Sequence, residues 1–159
     1  MKQSIPQQML IVLIFSFLIS CQTSTKEKTS NPGDRLAKAS RENKNGWVYV
    51  HLEGSPSDIG YQHGYLLSNE IDTTLQMMGY FLEHETKKDW AFYRQCAKNF
   101  LWDKLDPEYK AEINGIAEGL RAKQKNYDSL DITALNAMEE LAYYYVPQFF
   151  HLLYNYLLQ

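Results

Sequence analysis

Cysteine and clustered positive charge are scarce in this chain, and each shortage excludes a class of protein. The 159 residues include only two cysteines, Cys21 and Cys96, which are too few for a disulfide framework. The net charge is −3 at pH 7 and no basic stripe is present, so we expect no nucleic-acid partner. The histidines His51, His84 and His151 do not have the spacing of metal ligands, and the sequence predicts neither a metal site nor a cofactor.

An apolar run near the amino terminus, Met9 to Ile19, is too short to span a bilayer comfortably but has the length of a signal-peptide core. It ends in Leu18-Ile19-Ser20-Cys21, which resembles a bacterial lipobox, the motif whose cysteine is linked to diacylglycerol. Residues 1–20 are therefore predicted to be a lipoprotein signal peptide, and the lipid on Cys21 is the expected contact with the membrane. This places the chain in the bacterial cell envelope, lipid-anchored at the outer membrane or the periplasmic face. An ordinary signal peptide, or a membrane anchor with an incidental cysteine, is the alternative.

Residues 21–45 are predicted to be a flexible tether. After Cys21 they are mostly Ser, Thr, Lys, Asn and Glu, and Asn31-Pro32-Gly33 is a turn signal. Few apolar groups are available to offset the entropy of ordering this stretch. A short helix near Arg35 to Arg41 is also compatible with the sequence.

The folded part is predicted to span residues 46–159 and to be mainly α-helical, with one amino-terminal β-strand. Residues 47–53 alternate with period two and are rich in aromatic and β-branched side chains, as expected of a strand. Ser55 then caps the first helix, with Pro56 at its first position and Asp58 completing a capping-box-like pattern. The helical spacing of apolar residues continues to about Glu85.

Glycines recur four residues apart in two of the predicted helices. Gly60 and Gly64 lie on one face of the first helix, and Gly115 and Gly119 have the same spacing in a later one. A glycine within a helix costs roughly 1 kcal/mol relative to alanine, so we expect another backbone to approach Gly60 and Gly64 closely.

Three further helices follow from the apolar spacing and the capping signals. One extends from Asp89 to Leu105, and the next begins at Asp106-Pro107 with the same cap-then-proline arrangement. Asp131 is predicted to cap the last one.

The end of the chain is apolar and uncharged, because residues 141–158 contain no Asp, Glu, Lys or Arg. A soluble domain rarely leaves such a surface uncovered, and a single strand has no ladder partner. We therefore expect the chain to be the front part of a larger unit, with a missing carboxy-terminal portion or a partner covering Leu141 to Leu158. A transmembrane segment is the alternative, and Pro147 counts against it.

The motif Gly54-Ser55-Pro56, followed by Ile59-Gly60-Tyr61-Gln62-His63-Gly64-Tyr65-Leu66-Leu67, resembles the start of the acyl-coenzyme A:6-aminopenicillanic-acid acyltransferase family. These proteins are autoproteolytic N-terminal-nucleophile hydrolases, related to the phospholipase B-like proteins. The resemblance covers roughly residues 47–147, and its further segments are Pro107-Glu108-Tyr109, Glu112-Ile113, Gly115-Ile116-Ala117-Glu118-Gly119, Asp131-Ile132, Leu135-Asn136 and Glu139-Glu140-Leu141.

The resemblance implies an αββα sandwich made by self-cleavage in front of a cysteine, of which this chain is a fragment. The freed cysteine would supply the nucleophilic sulfur, and its own α-amino group, with a pKa of about 7.7–8.0, is suited to act as the base. No cysteine follows Cys96, whereas the family's nucleophile lies after the block that ends near Pro147. No catalytic residue is therefore assigned within this chain, and the nucleophile is expected beyond it.

The other candidate residues have simpler explanations. Cys96 lies mid-helix on an apolar face and is predicted to be a buried thiol. His63 lies on an apolar stripe and is expected to be a core histidine, with a role in a pocket or in assembly as the alternative. Ser55 is a helix cap without the histidine and aspartate of a catalytic triad. Glu139-Glu140 is predicted to place one carboxylate inside the fold and one outside, with paired acid–base chemistry as the alternative. The Tyr143-Tyr144-Tyr145 run is more typical of interface packing than of an aromatic ligand platform.

The predicted function is that of the amino-terminal portion of a lipid-anchored acyltransferase or amidohydrolase. It would act on a small acyl or amide substrate through a cysteine thioester, and the chain alone is expected to be inactive. The alternative is a non-catalytic envelope lipoprotein that serves as a helical binding or interaction module. A decayed or frame-shifted gene product is a third interpretation.

Replacing Cys21 with serine tests the lipidation prediction. Because serine has no thiol for the thioether bond, Cys21→Ser should lose lipid labelling and be released from membranes, whereas Cys96→Ala should retain both. Lipid labelling and membrane fractionation measure the two effects. Membrane retention of an unlabelled Cys21→Ser protein would contradict the prediction and would point to the apolar residues 141–158 as the anchor.

Overall fold

A two-stranded sheet and a series of helices make up residues 32–145, which are the residues that the computed structural model describes. The elements in chain order are α1 (Pro32–Leu36), β1 (Ser40–Lys44), β2 (Trp47–His51), α2 (Pro56–Leu66), α3 (Ser68–Thr86), α4 (Trp90–Cys96), α5 (Pro107–Ala122), α6 (Ser129–Asn136) and α7 (Met138–Glu140). Irregular helical turns occupy Ala97–Leu101, Trp102–Lys104 and Leu141–Tyr145. Three predictions fall outside the described residues: the signal peptide of residues 1–20, the lipidation site Cys21, and the apolar segment after residue 145.

The strands β1 and β2 form an antiparallel hairpin, so the prediction of a single strand was wrong. Its register runs from Ser40 opposite His51 to Lys44 opposite Trp47. Asn45 and Gly46 form the turn with φ values of 53° and 81°, as a two-residue type I′ hairpin requires. The sequence Ser-Arg-Glu-Asn-Lys of β1 has no apolar alternation, which is why the periodicity did not reveal it.

The predicted tether of residues 21–45 differs from the structure over residues 32–44, which form α1 and β1. Arginine side chains, which carry no periodic signal, fasten this stretch to the helices. Arg41 donates to the carbonyl oxygen of Leu66 at 2.7 Å and pairs with Glu70 at 2.5 Å. The contacts of Arg35 are described with the candidate site below.

Helix α2 begins as the sequence predicts. The Ser55 hydroxyl accepts a hydrogen bond from the backbone N–H of Asp58 and donates to its carboxylate at 2.6 Å. The predicted single helix to Glu85 is nevertheless wrong, because the chain bends at Leu67 (φ −113°, ψ 24°) and continues as α3. The bend allows α3 to bury Leu75 and Leu82 while α2 stays packed against α5.

Two other predicted helices also end or begin at different residues. The helix predicted from Asp89 is regular only through Cys96, after which the backbone widens into a π-helical turn and then tightens. The cap of α6 is Asp128 and not Asp131. The two aspartates form a reciprocal capping box, in which Asp128 accepts from the N–H of Asp131 and Asp131 accepts from the N–H of Asp128. Because both residues suit a cap and lie three apart, the apolar pattern alone did not distinguish them.

Helices α2 and α5 pack backbone against backbone. A Cβ atom added to Gly60 would lie 2.0 Å from the carbonyl oxygen of Glu112, and one added to Gly64 would lie 2.1 Å from that of Ile116. The contact is reciprocal, since added Cβ atoms on Gly115 and Gly119 would each lie 2.3 Å from a carbonyl oxygen of α2. The close approach expected of Gly60 and Gly64 is thus confirmed, and its partner is the second glycine pair.

Two apolar clusters form the core on either side of Trp90. The fully buried members of the first are Leu82, Tyr93, Cys96, Ala97, Ala134 and Leu141, and those of the second are Leu75, Ile113, Ile116, Leu120 and Ile132. Leu141, the first residue of the predicted uncovered segment, therefore packs inside this chain.

Substituting one contact glycine with alanine tests the helix crossing. Gly64→Ala places a methyl group within 2.1 Å of a backbone oxygen that no side-chain rotation can move, so we expect a loss of about 1–3 kcal/mol in the free energy of unfolding. The matched control is Gly79→Ala, a helical position with nothing within 4 Å, where alanine should raise stability by up to about 1 kcal/mol. Urea denaturation measures both variants, and equal effects would contradict the close crossing.

Candidate functional site

The five motif residues Gly60 to Gly64 occupy the middle of α2, and they lie in four different surroundings. The two glycines contact α5, as described above. Tyr61 is buried under the guanidinium of Arg35, whose central carbon lies 4.2 Å from the ring centroid. Burial raises the pKa of the Tyr61 hydroxyl, and the neighbouring Arg35 opposes that shift. Tyr61 is therefore a neutral packing group.

Gln62 is 1% exposed and its amide group is fully used by backbone groups. Its Oε1 accepts from the N–H of Glu53 at 2.8 Å, and its Nε2 donates to the carbonyl oxygens of Glu53 and Arg35 at 2.8 and 2.6 Å. These bonds join α2 to the segment that follows β2 and to the end of α1. Because all three partners are backbone groups, Gln62 is a structural staple and not a catalytic group.

Arg35 fastens α1 across the crossing of α2 and α5. It donates to Asp58 at 3.1 Å, to Glu118 at 2.7 Å and to the carbonyl oxygen of Ser57 at 2.6 Å. The Ser55 hydroxyl, and secondarily Arg35, hold the pKa of Asp58 below its ordinary value. No sequence pattern marks Arg35, because it lies in a polar stretch without periodicity.

His63 faces a groove between four helices, as the alternative of a pocket role anticipates. The groove has a volume of about 210 Å³ and is lined by His63, Leu67, Glu70, Ile71, Thr74, Ile116, Ile132, Leu135 and Asn136. Within residues 32–145 no other residue hydrogen-bonds the imidazole. Burial lowers the pKa of His63, and the carboxylate of Glu112 partly opposes the effect. A neutral imidazole offers one donor and one acceptor to whatever enters the groove.

Two polar networks that the sequence did not reveal brace the helices around this groove. Asp72 on α3 accepts from Lys125 at 2.5 Å and from the Tyr127 hydroxyl at 2.7 Å. Lys125 is the main cause that lowers the pKa of Asp72 to about 2, and burial together with Asp72 raises the pKa of Tyr127 to about 12.

The second network surrounds buried Asp131, which accepts from the indole N–H of Trp90 at 2.9 Å and pairs with Arg94 at 2.5 Å. The spacing of Asp128 and Asp131 was the sequence signal that could have located it. Because every partner is a protein group, this network serves the fold.

The other sequence candidates do not assemble into a catalytic arrangement. Cys96 is buried, and burial raises the pKa of its thiol, which makes it a poor nucleophile. Ser55 is the helix cap, His51 lies 3.6 Å from exposed Glu53, and His84 contacts exposed Glu85 at 3.0 Å. No group of three potential metal ligands occurs among residues 32–145.

A second and larger groove lies along the carboxy-terminal half of α3. Its volume is about 410 Å³, and its lining residues are Met78, Phe81, Leu82, Glu85, Thr86, Met138, Glu139, Ala142 and Tyr143. Two of its lining side chains are large, apolar and exposed, with Phe81 52% and Tyr143 72% accessible. Glu139 thus lies at the rim of an apolar groove, without the paired geometry of acid–base catalysis. None of the helices in the described part of the chain is both long and apolar enough to cross a bilayer.

Comparison with known proteins identifies partial relatives. Over 98 residues the chain is 31% identical to the acyl-coenzyme A:6-aminopenicillanic-acid acyltransferase 40 kDa form of Emericella nidulans, an alignment that covers 60% of this chain and 26% of that protein. Over 100 residues it is 32% identical to an uncharacterized protein of Archaeoglobus fulgidus, covering 58% of this chain and 16% of that protein. No protein-family model and no solved structure matches.

The chain thus spans a minor part of each of these two relatives. The first similarity supports a distant relation to the acyltransferase family.

Replacing His63 tests whether its imidazole is neutral in the groove. Because burial lowers the folded-state pKa of His63, the unfolded chain binds its proton first as the pH falls. The wild type should therefore lose stability relative to His63→Leu as the pH falls from above 6.5 to about 5. Urea denaturation across this range measures the difference.

Asn136→Leu is the matched control, since it alters the same groove without removing a titratable group. It should keep the pH dependence of the wild type. If His63→Leu also kept that dependence, the imidazole would not be the responsible group.

Proposed function

We propose that this chain is the amino-terminal portion of an acyltransferase or amidohydrolase that acts by acyl transfer through a cysteine beyond residue 159. The observation that carries the proposal is the partial similarity to acyl-coenzyme A:6-aminopenicillanic-acid acyltransferase. The substrate class is a small acyl or amide compound. The complete protein would adopt an αββα N-terminal-nucleophile hydrolase fold.

The reaction would pass through a thioester on the freed amino-terminal cysteine. Its α-amino group takes the thiol proton as sulfur attacks the acyl carbon, and the proton then goes to the leaving amine or thiol. Water or an acceptor amine next attacks the thioester, which releases the acyl product and restores the thiol. Buried Cys96 does not suit this role, because the nucleophile must be accessible and easily deprotonated.

The exposed apolar surface along α3 supports the view that further protein covers this portion. Phe81 and Tyr143 line the larger groove and are exposed, and Met77 and Tyr80 are exposed elsewhere on α3. Exposed apolar side chains in this number are typical of an interface and not of solvent-facing helices. A missing carboxy-terminal portion would cover it in the complete enzyme.

Lipid anchoring through Cys21 completes the proposal. The lipobox-like Leu18-Ile19-Ser20-Cys21 supports attachment in the bacterial envelope, at the outer membrane or the periplasmic face. Several acyl chains on one cysteine give durable anchoring, since each buried CH₂ contributes about 0.8 kcal/mol.

Sequencing the source DNA past codon 159 and expressing any longer product tests the enzyme. We expect an in-frame continuation whose product cuts itself before a cysteine and then releases coenzyme A from an acyl-coenzyme A donor. Changing that cysteine to alanine should abolish self-cleavage and lower the rate of coenzyme A release at least about a hundredfold, because the nucleophile is lost. Cys96→Ala is the matched control and should keep both activities.

The alternative function is a non-catalytic envelope lipoprotein that binds a partner through its exposed aromatic face. The exposed aromatic side chains of Phe81 and Tyr143, which line the larger groove, favour it. A stop codon after Gln159 with no related coding sequence beyond it would overturn the enzyme proposal and leave this alternative.

A further inference from the structure

In the described part of the chain, strand β2 has one free edge. Within residues 32–145 the sheet contains only β1 and β2, so one side of β2 has no strand partner. Lys44 and Trp47 close the two-residue turn and form a hydrogen-bonded pair. Because the pattern alternates along an antiparallel ladder, the backbone groups of Tyr49 also face β1, whereas those of Val48 and Val50 face outward.

This free edge carries none of the features that usually prevent pairing. The five residues Trp-Val-Tyr-Val-His include no Asp, Glu, Lys or Arg, and Trp47 and Tyr49 are 71% and 56% exposed. β1, by contrast, carries Arg41, Glu42 and Lys44, and charged side chains of this kind block edge pairing. An uncharged, exposed and β-prone edge is therefore presented on one side of the hairpin only.

The sequence of β2 is complementary to itself in the antiparallel direction. If two copies pair about Tyr49, then Trp47 lies opposite His51 of the second copy and Val48 lies opposite Val50. This register brings the outward N–H and C=O groups of Val48 and Val50 against the same groups of the other strand. It also gives an aromatic pair at Tyr49 and two valine pairs, with no like charges opposed.

We propose that β2 binds β2 of a second copy of this chain, which forms a four-stranded antiparallel sheet in the order β1-β2-β2-β1. The interface is isologous, with a twofold axis at Tyr49. The inference goes beyond the proposed function, because association does not require acyl transfer and is measured without a substrate.

Proline substitutions on the two outer edges test the pairing. Val48→Pro removes an N–H that faces the second copy and leaves the β1–β2 ladder intact, as is typical of edge strands. Asn43→Pro is the matched control, because Asn43 lies opposite Val48 and its N–H faces away from β2. Sedimentation velocity of the full chain in a mild detergent should show a concentration-dependent dimer that Val48→Pro weakens by about tenfold or more. Asn43→Pro should keep it.

Engineered cysteines test the register, in a Cys21→Ser background where the remaining thiol, Cys96, is buried. Tyr49→Cys should form an intermolecular disulfide on mild oxidation, since residues in a non-hydrogen-bonded pair have Cα atoms about 4.5 Å apart. Val48→Cys alone should not, because its counterpart lies two residues away. A mixture of Val48→Cys and Val50→Cys proteins should cross-link.

Three results would overturn the proposal. The first is a monomer at every concentration without a Tyr49→Cys cross-link. The second is a dimer that Val48→Pro and Asn43→Pro affect equally. The third is slow hydrogen exchange at the Val48 and Val50 amides of a monomer, which would mean that another segment of the same chain covers the edge.

Discussion

The backbone contact between α2 and α5 is the constraint on which the rest of this structure depends. Side chains normally keep two packed helices 8–10 Å apart, and glycine at the contact positions allows a closer approach. With Gly60 and Gly64 turned to α5, the remaining faces of α2 are fixed as well. Gln62 then meets the end of the hairpin, and His63 meets the groove formed with α3 and α6.

Polar side chains then hold the less regular parts to this pair of helices. Gln62 bonds only to backbone groups, whereas Arg35 bonds to one backbone carbonyl and otherwise to side chains of α2 and α5. Together they fix the path of the chain between α1 and β2. Arg41 does the same for β1 through the carbonyl of Leu66. The hairpin is therefore bonded to the helices through its polar strand β1. The outer edge of its apolar strand β2 has no strand partner within residues 32–145. The same division into a braced side and an open apolar side recurs along α3, where Leu75 is buried and Tyr80 is exposed.

The sequence predicted those elements that depend on residues close together in the chain. The Ser55 cap with Pro56, the start of α5 after Asp106 and the paired glycines could all be predicted from the sequence, because each depends on residues within one turn of the chain. β1 could not, since a polar strand is stabilised by its partner and not by its own pattern. The bend at Leu67 likewise has no glycine or proline beside it, so no local signal marks it.

The candidate site likewise contains features that the sequence predicted and contacts that it did not. The motif Gly60 to Gly64 identified the right helix, but the partners of Gln62 lie 9 and 27 residues away in the chain. The network of Asp131 with Trp90 spans 41 residues. Long-range pairings of this kind leave no periodic trace, and a single sequence does not reveal which polar residues meet.

The reciprocal glycines also restrict how α2 can move. Glycine recurs only every four residues on each helix, so a shift along the axis by one or two residues would drive a Cβ atom into a carbonyl oxygen of the neighbouring backbone. A shift by one full turn, about 5.4 Å, would bring only one of the two glycines back opposite the partner helix and would set a larger residue at the other contact. The two helices therefore hold a single relative position along their axes. A rearrangement that reaches His63 would have to come from the neighbouring helices α3 and α6 and not from sliding of α2 along α5.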